Sequence, residues 1–433
     1  MSFLKVLGFD PAKHNVKTEI VAGITTFLTM AYILAVNPDI FGALEEMGMP
    51  KGAVFTATAL AAIVGTLVMS IYAKKPYALA PGLGLNAFFV YTVCLTMGYS
   101  WQFALTAVLI EGVIFIILTV TNVREAIINA IPKAMKSAVS AGIGLFIAFI
   151  GLVNAGIIVD DGGTIINLGT ITSGPALLAI VGLVITSVMM ILKVPGAMLI
   201  GIIVTAIIGI PFGITKFDGV VSSVPSVAPI FCKFEFHNIL SWDMIIVVFT
   251  FLFIDMFDTI GTVIGVSKKA NAMNPDGTIP GVKKVLMADA VATVWGAICG
   301  TSTTTTYVES ASGVAEGGRT GLTSFTVAIC FAIALFFAPV FLAIPSAATA
   351  PALILVGVMM MSSILDVDFN DFSECIPAYI CMIVMPLAYS ISDGIMLGMI
   401  SFVVLNALTG KFKKISVMMW ILAVLFILRY ILL

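Results

Sequence analysis

The chain contains 433 residues, of which 60% are hydrophobic and 10% are charged, and its mean hydropathy is +1.16. Soluble globular proteins carry about 25% charged residues, so this composition excludes a soluble domain and predicts a protein that crosses the cell membrane several times. The net charge is −2 and no basic tract occurs, which gives no indication of a nucleic-acid partner. The six cysteines form no CxxC pair and both histidines lie outside the apolar segments, so we expect no metal site and no cofactor.

Fourteen apolar windows near the length that a bilayer requires can be drawn along the chain. The first seven cover residues 20–36, 53–72, 84–97, 101–120, 133–153, 175–192 and 196–213, and the second seven cover 243–266, 284–300, 302–314, 322–342, 350–365, 374–389 and 392–409. Because each half has an odd number of windows, the second half must enter the membrane in the opposite orientation. We predict an all-α polytopic membrane protein with fourteen transmembrane spans in two inverted seven-span repeats, residues 1–216 and 243–410.

The basic residues test this topology independently, because Lys and Arg concentrate in cytoplasmic loops. With the N-terminus inside, seventeen Lys and Arg residues fall on the inner side and three on the outer side. We therefore expect both termini to be cytoplasmic. An apolar C-terminal segment, residues 411–433, follows the second repeat. From Ile415 onward it could form either a helix lying on the membrane surface or a fifteenth span. We favour the surface helix, because it leaves the two halves paired.

The third window of each half is interrupted. Window three begins with ALAPGLGLNAFF (Ala78–Phe89), and window ten lies in GTSTTTTYVESASGVAEGGRTG (Gly300–Gly321). Short or Gly/Pro-interrupted segments at matching positions of two halves are the best sequence indication of a transporter's binding site. The β-branched run from Ser302 to Tyr307 favours extended backbone, which persists at membrane depth only when protein or a cavity surrounds it. We expect a short strand in each interrupted span, and the two strands should pair near the midplane.

Two acids, Asp258 and Glu309, fall at membrane depth, where each charge costs roughly 2.5 to 3.5 kcal/mol. Asp258 lies near the middle of window eight. Glu309 precedes the predicted start of a half-helix, where it could be a simple cap or could face a cavity. Asp255, three residues before Asp258, is equally compatible with a hydrated helix end and with a functional role. A pathway for a solute and a proton would account for the first two acids.

Several neighbours complete the candidate site. Asn86 offers both a donor and an acceptor, although it could merely close the turn after Gly84. Phe88 and Tyr307 are placed to sandwich a flat ring, and Thr262 lies one turn after Asp258. For the other acids of the spans, Glu111 and Asp289, we prefer interhelix hydrogen bonding, and for Glu316 and Arg319 a loop ion pair.

Five longer stretches together resemble the purine permeases of the nucleobase-cation symporter-2 family, in its hypoxanthine/guanine/adenine branch. They are TTFLTMAYILAVNP (Thr25–Pro38), APGLGLNAFF (Ala80–Phe89), FDTIGT (Phe257–Thr262), TTTTYVESASGVAEGGRTGLTS (Thr303–Ser324) and APALILVG (Ala350–Gly357). The resemblance implies a core domain from spans 1–4 and 8–11 against a gate domain from spans 5–7 and 12–14. It places the family's span-8 acid on Asp258, its span-10 acid on Glu309 and the asparagine of its GLGLNAFF motif on Asn86. It also implies that a homodimer can form through the gate domain.

These observations together predict a secondary transporter that takes up hypoxanthine, guanine or adenine by proton symport through alternating access. Charge is costly in a dry interior, so one acid should be neutral while the occluded core moves. We expect Asp258 to carry the proton and Glu309 to bind the base, although the two roles could be exchanged or shared. A uracil or xanthine permease and an anion transporter of the same architecture are the alternatives. An enzyme is not expected, because no nucleophile and base occur together in the spans.

Overall fold

A computed structural model describes residues 2–121, 131–172, 174–217, 219–237, 239–270, 272 and 279–432. The helices of the first half are α1 (Ser2–Val6), α2 (Val16–Met30), α3 (Ile33–Phe41), α4 (Lys51–Val68), α5 (Leu83–Ala87), α6 (Trp101–Thr121), α7 (Lys133–Asn154), α8 (Gly174–Ile191) and α9 (Ala197–Gly209). Wider π-type turns extend α4 through Met69–Ala73 and α5 through Phe88–Thr96. Two strands, β2 (Ile158–Asp161) and β3 (Ile165–Leu168), form a hairpin between α7 and α8.

The second half begins after a long connection between α9 and α10. Its helices are α10 (Trp242–Lys269), α11 (Val282–Cys299), α12 (Ser310–Ala315), α13 (Gly321–Ala334), α14 (Ala338–Leu342), α15 (Ser346–Met361), α16 (Phe372–Leu387), α17 (Ile391–Leu408) and α18 (Val417–Leu432). The remaining strands are β1 (Leu79–Pro81) in the first half and β4 (Thr304–Thr306) in the second. The chain is therefore mostly helical, as the composition predicts.

Among the described residues, nine helices are long and apolar enough to cross a membrane, which makes the chain a multi-pass membrane protein. Shorter apolar helices occupy Leu83–Thr96, Ala197–Gly209, Phe372–Leu387 and Val417–Ile431. Every predicted window contains a helical segment, and the exact count of fourteen spans stays a prediction.

The two interrupted spans meet through their strands. Strands β1 and β4 pair antiparallel, with Leu79 opposite Thr306 and Pro81 opposite Thr304. Two further backbone bonds extend the ladder, from Gly82 N to Thr303 O (3.0 Å) and from Tyr307 N to Ala78 O (2.9 Å). Each segment thus satisfies peptide groups of the other, which hydrocarbon cannot do. The predicted strands and their pairing are confirmed.

The helices pack in two groups. In the first group, α6 and α4 pack against α11, and α13 packs against α2 and α4. In the second group, α7 packs against α15 and α16, α16 packs against α17, and α8 packs against α9 and α15. The first group also includes α10, which packs against α6, α12, which packs against α2, and β1, which packs against α4. It thus draws on windows 1–4 and 8–11, and the second group draws on windows 5–7 and 12–14. Whether the two groups move as separate domains stays a prediction.

Loops and span ends that the predicted topology places on the same side of the membrane contact one another. Such contacts join Gly321 N to Leu7 O (2.9 Å) and Lys133 Nζ to Asp366 Oδ1 (2.5 Å) on the predicted inner side, and Trp101 Nε1 to Met47 O (2.8 Å) and Ser222 N to Phe336 O (3.0 Å) on the predicted outer side. The order in which the windows alternate is therefore consistent with the structure.

The C-terminal segment differs from the favoured interpretation. Helix α18 packs along α17, and Arg429 near its end donates to Asp393 at the beginning of α17 (3.0 Å). Tyr430 donates to the same carboxylate (2.8 Å), while Phe426 packs edge-on against Phe249 of α10. The helix thus runs back along the bundle instead of lying across its end. The helix is held there because its apolar side is buried against the bundle and its polar residues bond to α17. Composition alone, which suggested a helix on the membrane surface, does not reveal these contacts.

The turn after α12 also differs from its prediction. Arg319 donates to the carbonyls of Val314 (2.6 Å) and Gly318 (2.7 Å), and no ion pair joins it to Glu316 in the described part of the chain. Instead, the buried Glu19 of α2 accepts the backbone N–H of Arg319 (3.1 Å). The predicted loop ion pair is wrong because the guanidinium closes its own turn.

Candidate functional site

A cavity of about 360 Å³ lies between the two helix groups at the depth of the paired strands. The wall from the first group carries most of the polar side chains: Tyr32, Asp258, Thr262, Thr306, Tyr307 and Glu309. The wall from the second group is mainly apolar and is formed by Val139, Ile143, Val356, Met359 and Met360, with the hydroxyls of Ser140, Ser362 and Ser363 at one end. A polar wall facing an apolar wall suits a flat ligand that has hydrogen-bonding edges.

Three chain interruptions converge on the polar wall. Window one is broken where α2 ends at Met30 and α3 begins at Ile33, which leaves Tyr32 between them. Window three changes from strand to helix at Gly82, and window ten does so between Tyr307 and Glu309. Only the last two interruptions were predicted, because the sequence of window one contains no glycine or proline near Tyr32.

Glu309 faces the cavity at the N-terminal boundary of α12. Its side chain makes no capping hydrogen bond to that helix, so the simple capping interpretation does not apply. Its Oε1 instead accepts a hydrogen bond of 2.7 Å from the hydroxyl of Tyr32. The carboxylate also lines the cavity, where it can accept a hydrogen bond from a ligand.

Asp258 lines the same cavity from the middle of α10. In the part of the chain that the structure describes, no side chain or backbone group donates to its carboxylate. A Cβ added at Gly82 would lie 3.8 Å from Asp258 Oδ2 and only 3.0 Å from Thr305 Cγ2, so glycine allows the strand end to approach this acid. The two membrane-depth acids thus share one pocket.

Thr262 and Tyr307 also line the cavity, as the candidate site requires. Thr262 lies one turn beyond Asp258 on α10. The hydroxyl of Tyr307 donates to the carbonyl of Pro81 (2.5 Å), which ties window ten to window three and leaves the ring facing the cavity.

Asn86 and Phe88 lie elsewhere. Asn86 is fully buried, and its Oδ1 accepts a short hydrogen bond from Ser302, so its amide joins the two interrupted spans. Phe88 is also fully buried and packs edge-on against Phe251, with ring centroids 4.7 Å apart. Neither side chain lines the cavity, because the helix that begins after Gly82 turns both away from it. Direct contact of these two residues with a ligand is therefore not supported.

The other intramembrane acids form bonds behind the strand pair. These bonds run from Thr303 Oγ1 to Glu111 Oε2 (2.6 Å), from Thr306 N to Asp289 Oδ1 (2.9 Å), and from Thr259 Oγ1 to Asp289 Oδ2 and Asp255 Oδ1 (both 2.9 Å). The predicted interhelix bonding of Glu111 and Asp289 is confirmed. Asp255 is buried within α10 and is not hydrated at a helix end.

On the predicted outer side, one of the contacts between the two helix groups is made by a buried carboxylate. Asp39 of α3 accepts hydrogen bonds from Ser346 (2.6 Å) and Thr349 (2.5 Å) in the first turn of α15. Lys51 lies 4.0 Å from the same carboxylate, whose side chain is 5% exposed. We call Asp39, Ser346 and Thr349 the outer contact. The cavity lies on its inner side, reaching the other end of α15 at Met360.

The polar cavity residues that sequence reasoning missed are Tyr32, Thr306, Ser140, Ser362 and Ser363. Tyr32 lies within one of the quoted motifs, and a tyrosine in the middle of a span is the signal that could have indicated it. The hydroxyls of Ser363 and Ser140 are 3.1 Å apart and belong to the second group. Single serines in apolar helices carry no comparable signal.

This arrangement, with paired interruptions around a central cavity between two helix groups, defines a membrane transporter rather than an enzyme. Residues 17–397 match the Permease family (Xan_ur_permease), and the chain belongs to that family. It is 45% identical to the guanine/hypoxanthine permease PbuG of Bacillus subtilis, over 98% of each chain. It is 41% identical to the adenine permease AdeQ of Escherichia coli, over 96% of this chain and 94% of that protein.

Solved structures share the fold at low sequence identity. The transmembrane domain of the cyanobacterial bicarbonate transporter BicA matches 89% of this chain and 97% of its own length, with a TM-score of 0.66 and 16% identity. At this identity the likeness concerns the fold alone. It supports the predicted fold class and carries nothing about the substrate.

Proposed function

We propose that this chain takes up purine nucleobases, hypoxanthine and guanine and also adenine, by proton symport. The observation that carries the proposal is the placement of Asp258 and Glu309 on one wall of a cavity, opposite a mainly apolar wall. A purine has N–H donors and ring or carbonyl acceptors along its edges and two apolar faces. Carboxylates accept from the donors, and the apolar side chains cover a face.

Glu309 is proposed as the main base-binding group, because it lines the cavity and Tyr32 holds its Oε1 in place. Asp258, Thr262 and Tyr307 complete the polar wall. A ligand edge that leaves one of these buried polar groups unpaired would lose about 1 to 3 kcal/mol, which allows the site to reject analogues with a changed exocyclic group. The similarity to PbuG, a guanine/hypoxanthine permease, and AdeQ, an adenine permease, supports a purine in preference to uracil, xanthine or an inorganic anion.

Coupling to protons is proposed through Asp258. An ionised carboxylate in a dry interior is costly unless a donor or a cation compensates it, and no described group donates to Asp258. Loading this acid with a proton would allow the occluded site to change its access from one side to the other.

The moving parts are proposed to be the two helix groups, as a core domain (spans 1–4 and 8–11) and a gate domain (spans 5–7 and 12–14). The cavity between them and the outer contact support this division. The excess of basic residues on one side supports a cytoplasmic N-terminus. Because α18 runs back along α17, we propose that it forms a fifteenth span and that the C-terminus ends on the outer side, in place of the predicted cytoplasmic one. Assembly as a homodimer through the gate domain stays a prediction.

The proposal is tested by uptake of labelled hypoxanthine, guanine and adenine into cells that lack their own purine permeases, with and without a protonophore. We expect the cells to take up purines, and we expect the protonophore to abolish this uptake. Glu309→Gln should raise KM strongly, and Asp258→Asn should remove the response to the proton gradient. The matched control is Glu316→Gln, which alters an exposed acid outside the cavity and should leave uptake unchanged.

Uptake that uracil, xanthine or sulfate inhibits as strongly as purines do would contradict the substrate assignment. Proton-driven uptake that survives Asp258→Asn unchanged would contradict the coupling role of that residue. Surface expression of each variant is measured in parallel, so that loss of protein is separated from loss of transport.

A further inference from the structure

We infer that Tyr32 contacts the substrate and sets its specificity: with Glu309, it forms a pair of adjacent acceptors that favours a purine with adjacent N–H donors. Guanine has such an edge, formed by its ring N1–H and its exocyclic amino group. This inference rests on the proposed purine transport and goes further, because it ranks the purines by the chemistry of one edge.

The position of Tyr32 is fixed by the break in window one. The residue lies between the end of α2 and the beginning of α3, and its side chain is 1% exposed yet borders the cavity. Its hydroxyl donates to Glu309 Oε1 over 2.7 Å. The phenol and the carboxylate are thus neighbours in the wall of the cavity.

Hydrogen-bond capacity determines what this pair can recognise. A phenol has one proton, and here that proton is used on Glu309, so towards a ligand the Tyr32 oxygen can only accept. The Oε2 atom of Glu309 is likewise an acceptor. Two neighbouring acceptors require two neighbouring donors, and a carbonyl or an unprotonated ring nitrogen placed opposite either of them would be repelled.

The three purines differ in this respect. Guanine offers N1–H beside its amino group and can satisfy both acceptors. Hypoxanthine offers N1–H but has only C–H at the neighbouring position, so one acceptor stays unpaired. Adenine has its amino group beside ring nitrogens that carry no hydrogen, so a donor and an acceptor alternate along that edge. The geometry therefore ranks guanine first.

The experiment measures inhibition of labelled hypoxanthine uptake by unlabelled guanine in the full-length chain and in Tyr32→Phe. The substitution keeps the ring and removes only the oxygen. For the original chain we expect a guanine inhibition constant below the hypoxanthine KM. For Tyr32→Phe we expect this constant to rise about 3- to 10-fold more than the hypoxanthine KM does, the effect of one lost hydrogen bond.

The matched control is Tyr77→Phe. Tyr77 is also fully buried and its hydroxyl is 2.8 Å from Ser267, but it lies outside the cavity. The guanine-to-hypoxanthine ratio should stay within about twofold of the original value in this variant. A general effect of losing a buried tyrosine hydroxyl would change both variants equally.

Each outcome is decisive. An unchanged ratio in Tyr32→Phe, or an equal loss for both purines, would overturn the inference while leaving purine transport intact. A chain that prefers hypoxanthine or adenine to guanine before any substitution would also overturn it, even if the variant could not be expressed. Absence of purine uptake in the original chain would instead refute the proposed function itself.

Discussion

Loss of the negative charge in the outer contact should open the transporter to the outer side. Asp39 accepts from Ser346 and Thr349, which belong to the opposite helix group. Asp39→Asn keeps the size of the side chain but replaces two charge-assisted hydrogen bonds by neutral ones. Each replacement costs about 1 kcal/mol, since bonds to charged groups contribute roughly 1.5 to 3 kcal/mol and neutral bonds roughly 0.5 to 1.5 kcal/mol.

The sum of about 2 kcal/mol corresponds to a shift of roughly 30-fold towards the outward-open state. The assay labels a cavity cysteine with a membrane-impermeant maleimide applied from outside. Val308→Cys borders the cavity, and Cys232→Ser removes an exposed native thiol. Labelling of Val308→Cys should be faster when Asp39→Asn is also present.

Lys51→Ala provides the matched control for this experiment. The lysine lies 4.0 Å from Asp39 and is 41% exposed, so its ion pair contributes little, about 0 to 1 kcal/mol. Its removal should change the labelling rate much less than Asp39→Asn does. Equal labelling of all three proteins from outside would refute the role of the outer contact in closing that side.

Three further outcomes are expected. Gly313→Ala should lower the melting temperature in detergent by several degrees, because its Cβ would lie 2.1 Å from Thr26 Oγ1 and overpacking costs about 1 to 3 kcal/mol; Gly265→Ala, whose Cβ meets no described atom within 4 Å, should not. Lys414, hydrogen-bonded to Asp371, holds the pKa of that carboxyl well below its usual range. The ionised carboxylate therefore stabilises the folded state at any pH above the unfolded pKa of about 4, and this stabilisation is lost as the pH falls further. Asp371→Asn should therefore melt lower than the original chain at pH 7, and the difference should shrink progressively in melting curves as the pH falls below about 4. An epitope tag on the C-terminus should bind antibody on intact cells and a tag on the N-terminus should not; the reverse result would contradict the direction of α18.

The sequence allowed most of the fold to be predicted, because membrane insertion imposes strong local signals. Apolar windows and basic loops follow from the hydrocarbon thickness and the charge rule, and each is visible within about twenty residues. The strand pair was predictable for the same reason, since the threonine run and Pro81 interrupt spans at matching positions.

The site was predictable only in part, because its decisive contacts join distant residues. Tyr32 and Glu309 are 277 positions apart, and nothing local indicates that they meet. Asn86 and Phe88 were expected to line the site, but the structure places them outside the cavity. Their proximity in sequence to the interruption does not determine which face of the following helix they occupy. The C-terminal helix could not be placed because its contact between Arg429 and Asp393 depends on how two apolar helices pack.

The pairing of β1 with β4 determines how the two halves can mature. Leu79 pairs with Thr306, which is synthesised more than two hundred residues later. Strand β1 therefore has no partner until most of the second half has been made. Until then the peptide groups of the first half must keep water or remain near the membrane interface. A half-chain made alone would carry an exposed strand with no complement, so the two halves would be stable only when produced together. A symmetric ancestor made of one repeat would face the same requirement, and two copies inserted in opposite orientations would meet it by pairing identical strands across their twofold axis.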